Sequence, residues 1–117
     1  MSAVKDLVIR AVSLAGQPLT HAMTARFDAH GGTLGRSDSN TLALPDPRRH
    51  ISRLQAEVVL QGAVYVLRNA GNANPIVVNQ TSLPPGASAP LAHGDELQIG
   101  AYVLRVSLEA PQSQPRT

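Results

Sequence analysis

The stretch Gly31–Glu57, GGTLGRSDSNTLALPDPRRHISRLQAE, decides the fold. It opens on a glycine turn and enters a short run, Thr33-Leu34, that ends at Gly35-Arg36. A polar loop, Ser37–Asn40, leads to a second short alternating run at Thr41–Leu44. Pro45-Asp46-Pro47 then rules out helix, because proline fixes φ and lacks an N–H. The loop delivers Ser52 and Arg53 just ahead of an apolar run around Val58. Short β-rich segments punctuated by Gly, Pro, Asn and Asp are the strands and turns of an all-β domain. In such a fold Arg36 and Ser52 fall in loops at the ends of neighbouring strands. Arginine presents a rigid fork of donors that matches phosphate, and serine adds one hydrogen bond. The pair is a candidate anion site.

Outward from this stretch the pattern repeats. Asp6–Ser13 (DLVIRAVS) is a strand by its Val and Ile content, Gly16-Gln17-Pro18 a turn, and Met23–Phe27 a second strand. Downstream, Gln55–Leu60 and Ala63–Leu67 form a hairpin about Gln61-Gly62. Arg68–Pro75 (RNAGNANP) is turn-rich, Ile76–Val78 a brief strand, and Thr81–Pro90 a loop marked by Pro84-Pro85-Gly86. His93-Gly94-Asp95 is a tight turn, and Glu96–Ile99 with Ala101–Leu108 makes the last hairpin, turning at Gly100. There is no amphipathic helical periodicity and no internal repeat. The series predicts a sandwich of two antiparallel sheets with little or no helix. It occupies residues 1–109; residues 110–117, APQSQPRT, read as a linker or tail.

Composition narrows the function. A chain of 117 residues is one domain, large enough to bury a core without metal or disulfide staples. It has no cysteine, which removes disulfide and thiolate chemistry. One Phe, two Tyr and no Trp mean an aliphatic core, and too few stacking faces for a single-stranded nucleic-acid platform. Net charge is only +2, yet between Arg36 and Arg53 four arginines (Arg36, Arg48, Arg49, Arg53) face two aspartates. Locally concentrated charge in a nearly balanced chain suits a focused anion site better than a DNA-binding face. His21, His30, His50 and His93 lack metal-ligand spacing, and HExxH, GxSxG, GxGxxG and the P-loop are absent. The expectation is therefore no catalytic residue, no metal and no cofactor. No secretory leader or apolar run of membrane-span length is present in the sequence, so a cytoplasmic, monomeric domain is expected.

The order of these motifs (glycine-arginine, acidic proline loop, Ser-Arg, then a glycine/asparagine turn) resembles the forkhead-associated (FHA) domain, over about Leu7 to Val106. The resemblance implies an FHA-type sandwich and a phosphothreonine-containing peptide or protein as partner. It implies that Arg36 and Ser52 bind the phosphate, that Arg53 assists, and that Asn74 bonds the backbone of the bound peptide, with Asn72 a competing candidate. It also implies that Gly35 and Gln55 support the site. The LPDP loop and HGDELQIGAYVLRV look like FHA domains attached to bacterial type VI secretion, which implies a regulatory or scaffold role there. Three positions depart from the family pattern: Gln55 stands where histidine is usual, Ala73 where a hydroxyl residue is frequent, and Pro75 where glycine is common. If they disable the site, the alternative is a phosphate-independent interaction scaffold. RRHIS also has the form of a basophilic kinase target, which would make Ser52 a substrate rather than a ligand.

Overall fold

The computed structural model describes residues 4–111. Among them there are eleven strands and no helix: β1 Asp6–Leu14, β2 Gln17–Phe27, β3 Gly32–Gly35, β4 Leu42–Ala43, β5 Ala56–Gln61, β6 Val64–Asn69, β7 Ile76–Val78, β8 Thr81–Leu83, β9 Ser88–Pro90, β10 Glu96–Ile99 and β11 Tyr102–Glu109. One sheet runs β2-β1-β11-β10-β7-β8, the other β4-β3-β5-β6-β9. Alternation along each strand supplies the inner faces. Leu7, Ile9 and Ala11 from β1 and Leu104 and Val106 from β11 pack with Leu34, Ala56, Val58 and Leu67 of the second sheet. All these side chains are buried, and apolar area removed from water is the main force holding the layers together.

The sandwich matches the expectation from the sequence, with three differences in detail. β2 begins at Gln17, well before Met23, and the preceding turn is Ala15-Gly16, both at positive φ. Its first half, QPLTHAM, lacks the apolar alternation of a core strand because β2 is an edge strand paired only with β1. An edge also tolerates Pro18, which has no N–H to donate. Secondly, Thr81–Pro90 is not all loop. It holds β8 and β9, which close the edges of different sheets. Each is three residues long, too short for a period-2 pattern to show. Thirdly, the two-residue β4 lies parallel to β3, the one parallel pairing in the described chain.

Two tyrosines define the ends of the sandwich. The Tyr102 hydroxyl donates to the Pro45 carbonyl at 2.7 Å, and the Ala15 N–H to the Ala101 carbonyl at 2.8 Å. This end therefore gathers the β1–β2 turn, the β4–β5 loop and the β10–β11 turn. At the other end the Tyr65 hydroxyl reaches the carbonyls of Lys5 (2.8 Å) and Phe27 (3.3 Å). Burial pushes both phenols above the usual tyrosine range, with nearby aspartates adding to it. Beside Tyr65's end, Arg26 ties the first strand to the last. Its Nε meets Asp6 Oδ2 at 2.9 Å, and its terminal nitrogens reach Glu109 Oε1 at 3.4 Å and the Ala110 carbonyl at 2.6 Å. Most of the expected tail, residues 112–117, lies outside the described residues. No helix among the described residues is long and apolar enough to cross a membrane.

Candidate functional site

The Gly35-Arg36 step is built by a close crossing of backbones. A Cβ on Gly35 would collide with the Arg53 carbonyl, so only glycine lets the two segments meet. Past the end of β3 the ladder continues: Arg36 N–H donates to the Ser52 carbonyl at 3.0 Å and Ser37 N–H to the Arg53 carbonyl at 3.3 Å. Arg36 and Ser52 are thereby side by side although far apart in sequence. Arg36 Nε donates to the Ile51 carbonyl at 3.0 Å, which aims the guanidinium and leaves its terminal nitrogens without a partner among the described residues.

The loop that carries Ser52 is shaped by Asp46. Its carboxylate accepts from the N–H groups of Ile51 (2.8 Å) and Arg48 (3.2 Å), and its carbonyl from Arg49 N–H (3.0 Å). Burial works against the charge, but the backbone donors of Ile51, His50 and Arg48 outweigh it and hold the Asp46 carboxyl below its ordinary range. The loop turns through Arg49, which sits at φ 61°.

Beneath Ser52 lies a buried amide pair. Gln55 is 2% exposed and Asn69 0%. Gln55 Oε1 accepts from Ser52 N–H at 2.9 Å, and its Nε2 donates to Asn69 Oδ1 at 2.9 Å. Asn69 Oδ1 also accepts from Gly71 N–H at 3.0 Å, while Nδ2 donates to the carbonyls of Asn74 (3.0 Å) and Leu83 (2.8 Å). A buried amide must have such partners, since an unpaired one costs about 1–3 kcal/mol. The pair couples the floor of the β4–β5 loop to the β6–β7 loop. Gly71 seals the contact: a Cβ there would strike Gln55 Nε2 and come within 3.0 Å of Ser52 Oγ.

Arg36, Ser52 and Arg53 line one cleft of about 370 Å3, together with Arg49, Gly71 and Asn72. Asn74 lies in the next cleft, with His50, Pro75, Val77 and Gln98, and its Nδ2 donates to the His50 carbonyl at 2.6 Å. Gly35 and Gln55 lie behind the cleft wall. Sequence reasoning did not single out Arg49 or Asn69 for the site. For Asn69 a signal existed: it shares the inner face of β6 with Tyr65 and Leu67, so alternation alone puts an amide in the core. For Arg49 the concentration of arginines between Arg36 and Arg53 was the signal, and the turn closed on the Asp46 carbonyl that brings it to the cleft was not.

A family model for the FHA domain matches residues 32–100, more than half of the chain. The chain belongs to the FHA family. FHA domains are binding modules, and as a class they read phosphopeptides. The match spans β3 to the β10–β11 turn; β1, β2 and β11 come from the structure. An FHA domain of an Arabidopsis thaliana hypothetical protein superposes with TM-score 0.78 at 21% identity, covering 98% of this chain and 96% of that one. An FHA domain solved in an analysis of phosphothreonine-dependent interactions gives TM-score 0.70 at 22% identity, covering 91% and 99%. Mycobacterium tuberculosis EmbR, in complex with a low affinity phosphopeptide, gives TM-score 0.67 at 20% identity, covering 90% of this chain and 25% of EmbR. At these identities the likeness is one of fold. No curated protein matches the sequence.

Proposed function

We propose that this FHA domain is a phosphothreonine-dependent peptide-binding module that works by docking a phosphorylated partner. The observation that carries the reading is that Arg36, Ser52 and Arg53 share a cleft with no acidic residue in its lining. A phosphate has three strong acceptor oxygens and about −1.5 to −2 charge. The terminal nitrogens of Arg36 take two of those oxygens, Ser52 Oγ donates to another, and exposed Arg53 closes over the group. Gly35 and Gln55 hold the geometry. Asn74 and Asn72 remain the two candidates for the peptide backbone. Asn72 lines the phosphate cleft itself, and Asn74 fastens the two loops through His50. The EmbR–phosphopeptide complex supports the reading by fold.

We extend it to a cytoplasmic, monomeric domain of residues 1–109 with a linker at 110–117, serving a bacterial type VI secretion system in regulation or scaffolding. This setting rests on the resemblance of LPDP and HGDELQIGAYVLRV. It fails if the gene stands apart from secretion components. The second reading, a phosphate-independent scaffold, is favoured by Ala73 and Pro75. Against it stands the intact brace that Gln55 makes to Ser52 N–H. Calorimetric titration with a phosphothreonine peptide library and unphosphorylated twins separates the two. Binding confined to the phosphorylated forms is expected; equal binding of both forms supports the scaffold.

A further inference from the structure

The cleft holds more positive charge than one phosphate can neutralise. Arg36, Arg49 and Arg53 line it and no carboxylate does. None of the three has a carboxylate partner among the described residues, whereas Arg26, Arg68 and Arg105 are each paired with one. A phosphate brings about −1.5 to −2 against a formal +3, leaving roughly one charge. That remainder matches a carboxylate rather than a second phosphate. No aromatic ring lines the cleft, so a stacked nucleic-acid strand is a poor occupant.

Arg49 is the residue placed to take the excess. Arg36 and Arg53 lie on either side of Ser52, through the Ile51 carbonyl and the β5 approach. Arg49 enters the cleft from the same loop, three residues ahead of Ser52, and holds a left-handed φ of 61°, uncommon for a long side chain. Asp46 imposes that turn by accepting from Arg48, Arg49 and Ile51 N–H. A backbone outlier that presents an unpaired charge to a cleft is a pointer to function.

We infer that Arg49 is a specificity-determining residue that selects phosphothreonine peptides carrying an acidic side chain next to the phosphorylated residue. The inference rests on the phosphothreonine reading above. Three phosphothreonine peptides test it on the full chain, identical except for Glu, Gln or Lys at the flanking positions, by calorimetry at low salt. The Glu peptide is expected to bind about fivefold tighter than its Gln twin, the size of a partly exposed ion pair, and the Lys peptide weakest. Arg49→Gly is the decisive variant, because glycine accepts positive φ freely and the backbone bond to Asp46 survives. It should keep the melting temperature and lower the affinity for all three phosphopeptides to a small common extent, while bringing the Glu and Gln peptides to equal binding; Arg49→Glu should invert the preference. Equal binding of the three phosphopeptides, or a Glu preference that survives Arg49→Gly, overturns the inference and leaves the phosphothreonine reading standing. If no phosphopeptide binds, both fall.

Discussion

At one end of the sandwich Arg26 lies 2.9 Å from Asp6, reaches toward Glu109 and donates to the Ala110 carbonyl. At the other end Arg36 uses one nitrogen on the Ile51 carbonyl and turns the rest to a cleft without acids. The same residue type is closed off at one end and left open at the other. A paired, partly buried arginine holds strands together. An arginine among other arginines adds repulsion to the fold, and gains its counter-charge only when an anion arrives. The difference separates stability from binding, and each substitution below should move one and spare the other, or show that the two are linked.

The largest effect is expected where the two properties meet. Asn69→Leu keeps the branched side-chain outline but strands Gln55 Nε2 and removes a donor from the Asn74 and Leu83 carbonyls, while Gly71 N–H retains the Gln55 carbonyl. A stability loss of about 3 kcal/mol or more should follow, seen in urea unfolding, with the binding cleft loosened as well. Unchanged stability would mean that the buried pair does not hold the loops. Next comes Arg36→Ala, which should weaken phosphopeptide binding about tenfold to a hundredfold, the worth of a charge-assisted bond of roughly 1.5–3 kcal/mol. The unfolding midpoint should stay nearly fixed. Loss of stability without loss of binding would reverse the roles of the two ends. Arg26→Ala should do the converse, costing about 1 kcal/mol of stability because the Asp6 contact is only partly buried and the Glu109 contact is exposed. Phosphopeptide affinity should not change.

The smallest effect concerns pH. The Asp46 carboxyl titrates below its ordinary range in the folded chain. Its contribution is therefore present above the unfolded pKa and lost as pH falls through the folded one. Stability followed from about pH 5 downward should decline less steeply in Asp46→Asn than in the parent. Parallel curves would remove Asp46 as the group that organises the loop.

Legibility from sequence followed how local each cause was. β1, β5, β6, β10 and β11 carry Val, Ile and Leu in alternation, and a strand advertises itself that way. β8, β9 and the first half of β2 do not, because their pairing is dictated by neighbours across an edge. That Arg36, Ser52 and Arg53 would meet in one cleft was legible because turn chemistry and residue order mark them. The Gln55–Asn69 pair could not, since it exists only when the β5–β6 hairpin sets Ala56 opposite Asn69. Arg49 stood out only as one of four clustered arginines, because its turn, closed by its N–H on the Asp46 carbonyl, has no glycine or asparagine to mark the positive φ.

The tyrosines give each end of this molecule its own optical label. The chain has two tyrosines and no tryptophan, and each phenol donates to a backbone carbonyl at a different end, Tyr65 near the first strand and Tyr102 on the Pro45 loop. Ultraviolet absorbance and fluorescence at tyrosine wavelengths therefore come from two sites alone. Tyr65→Phe would leave Tyr102 as a sole reporter bonded to the loop that carries Ser52. A titrated phosphopeptide should then perturb its spectrum, while the mirror variant, Tyr102→Phe, stays silent. An alkaline titration would show the two phenolates forming later than free tyrosine. Ligand arrival could thus be watched through one side chain of the protein without a dye.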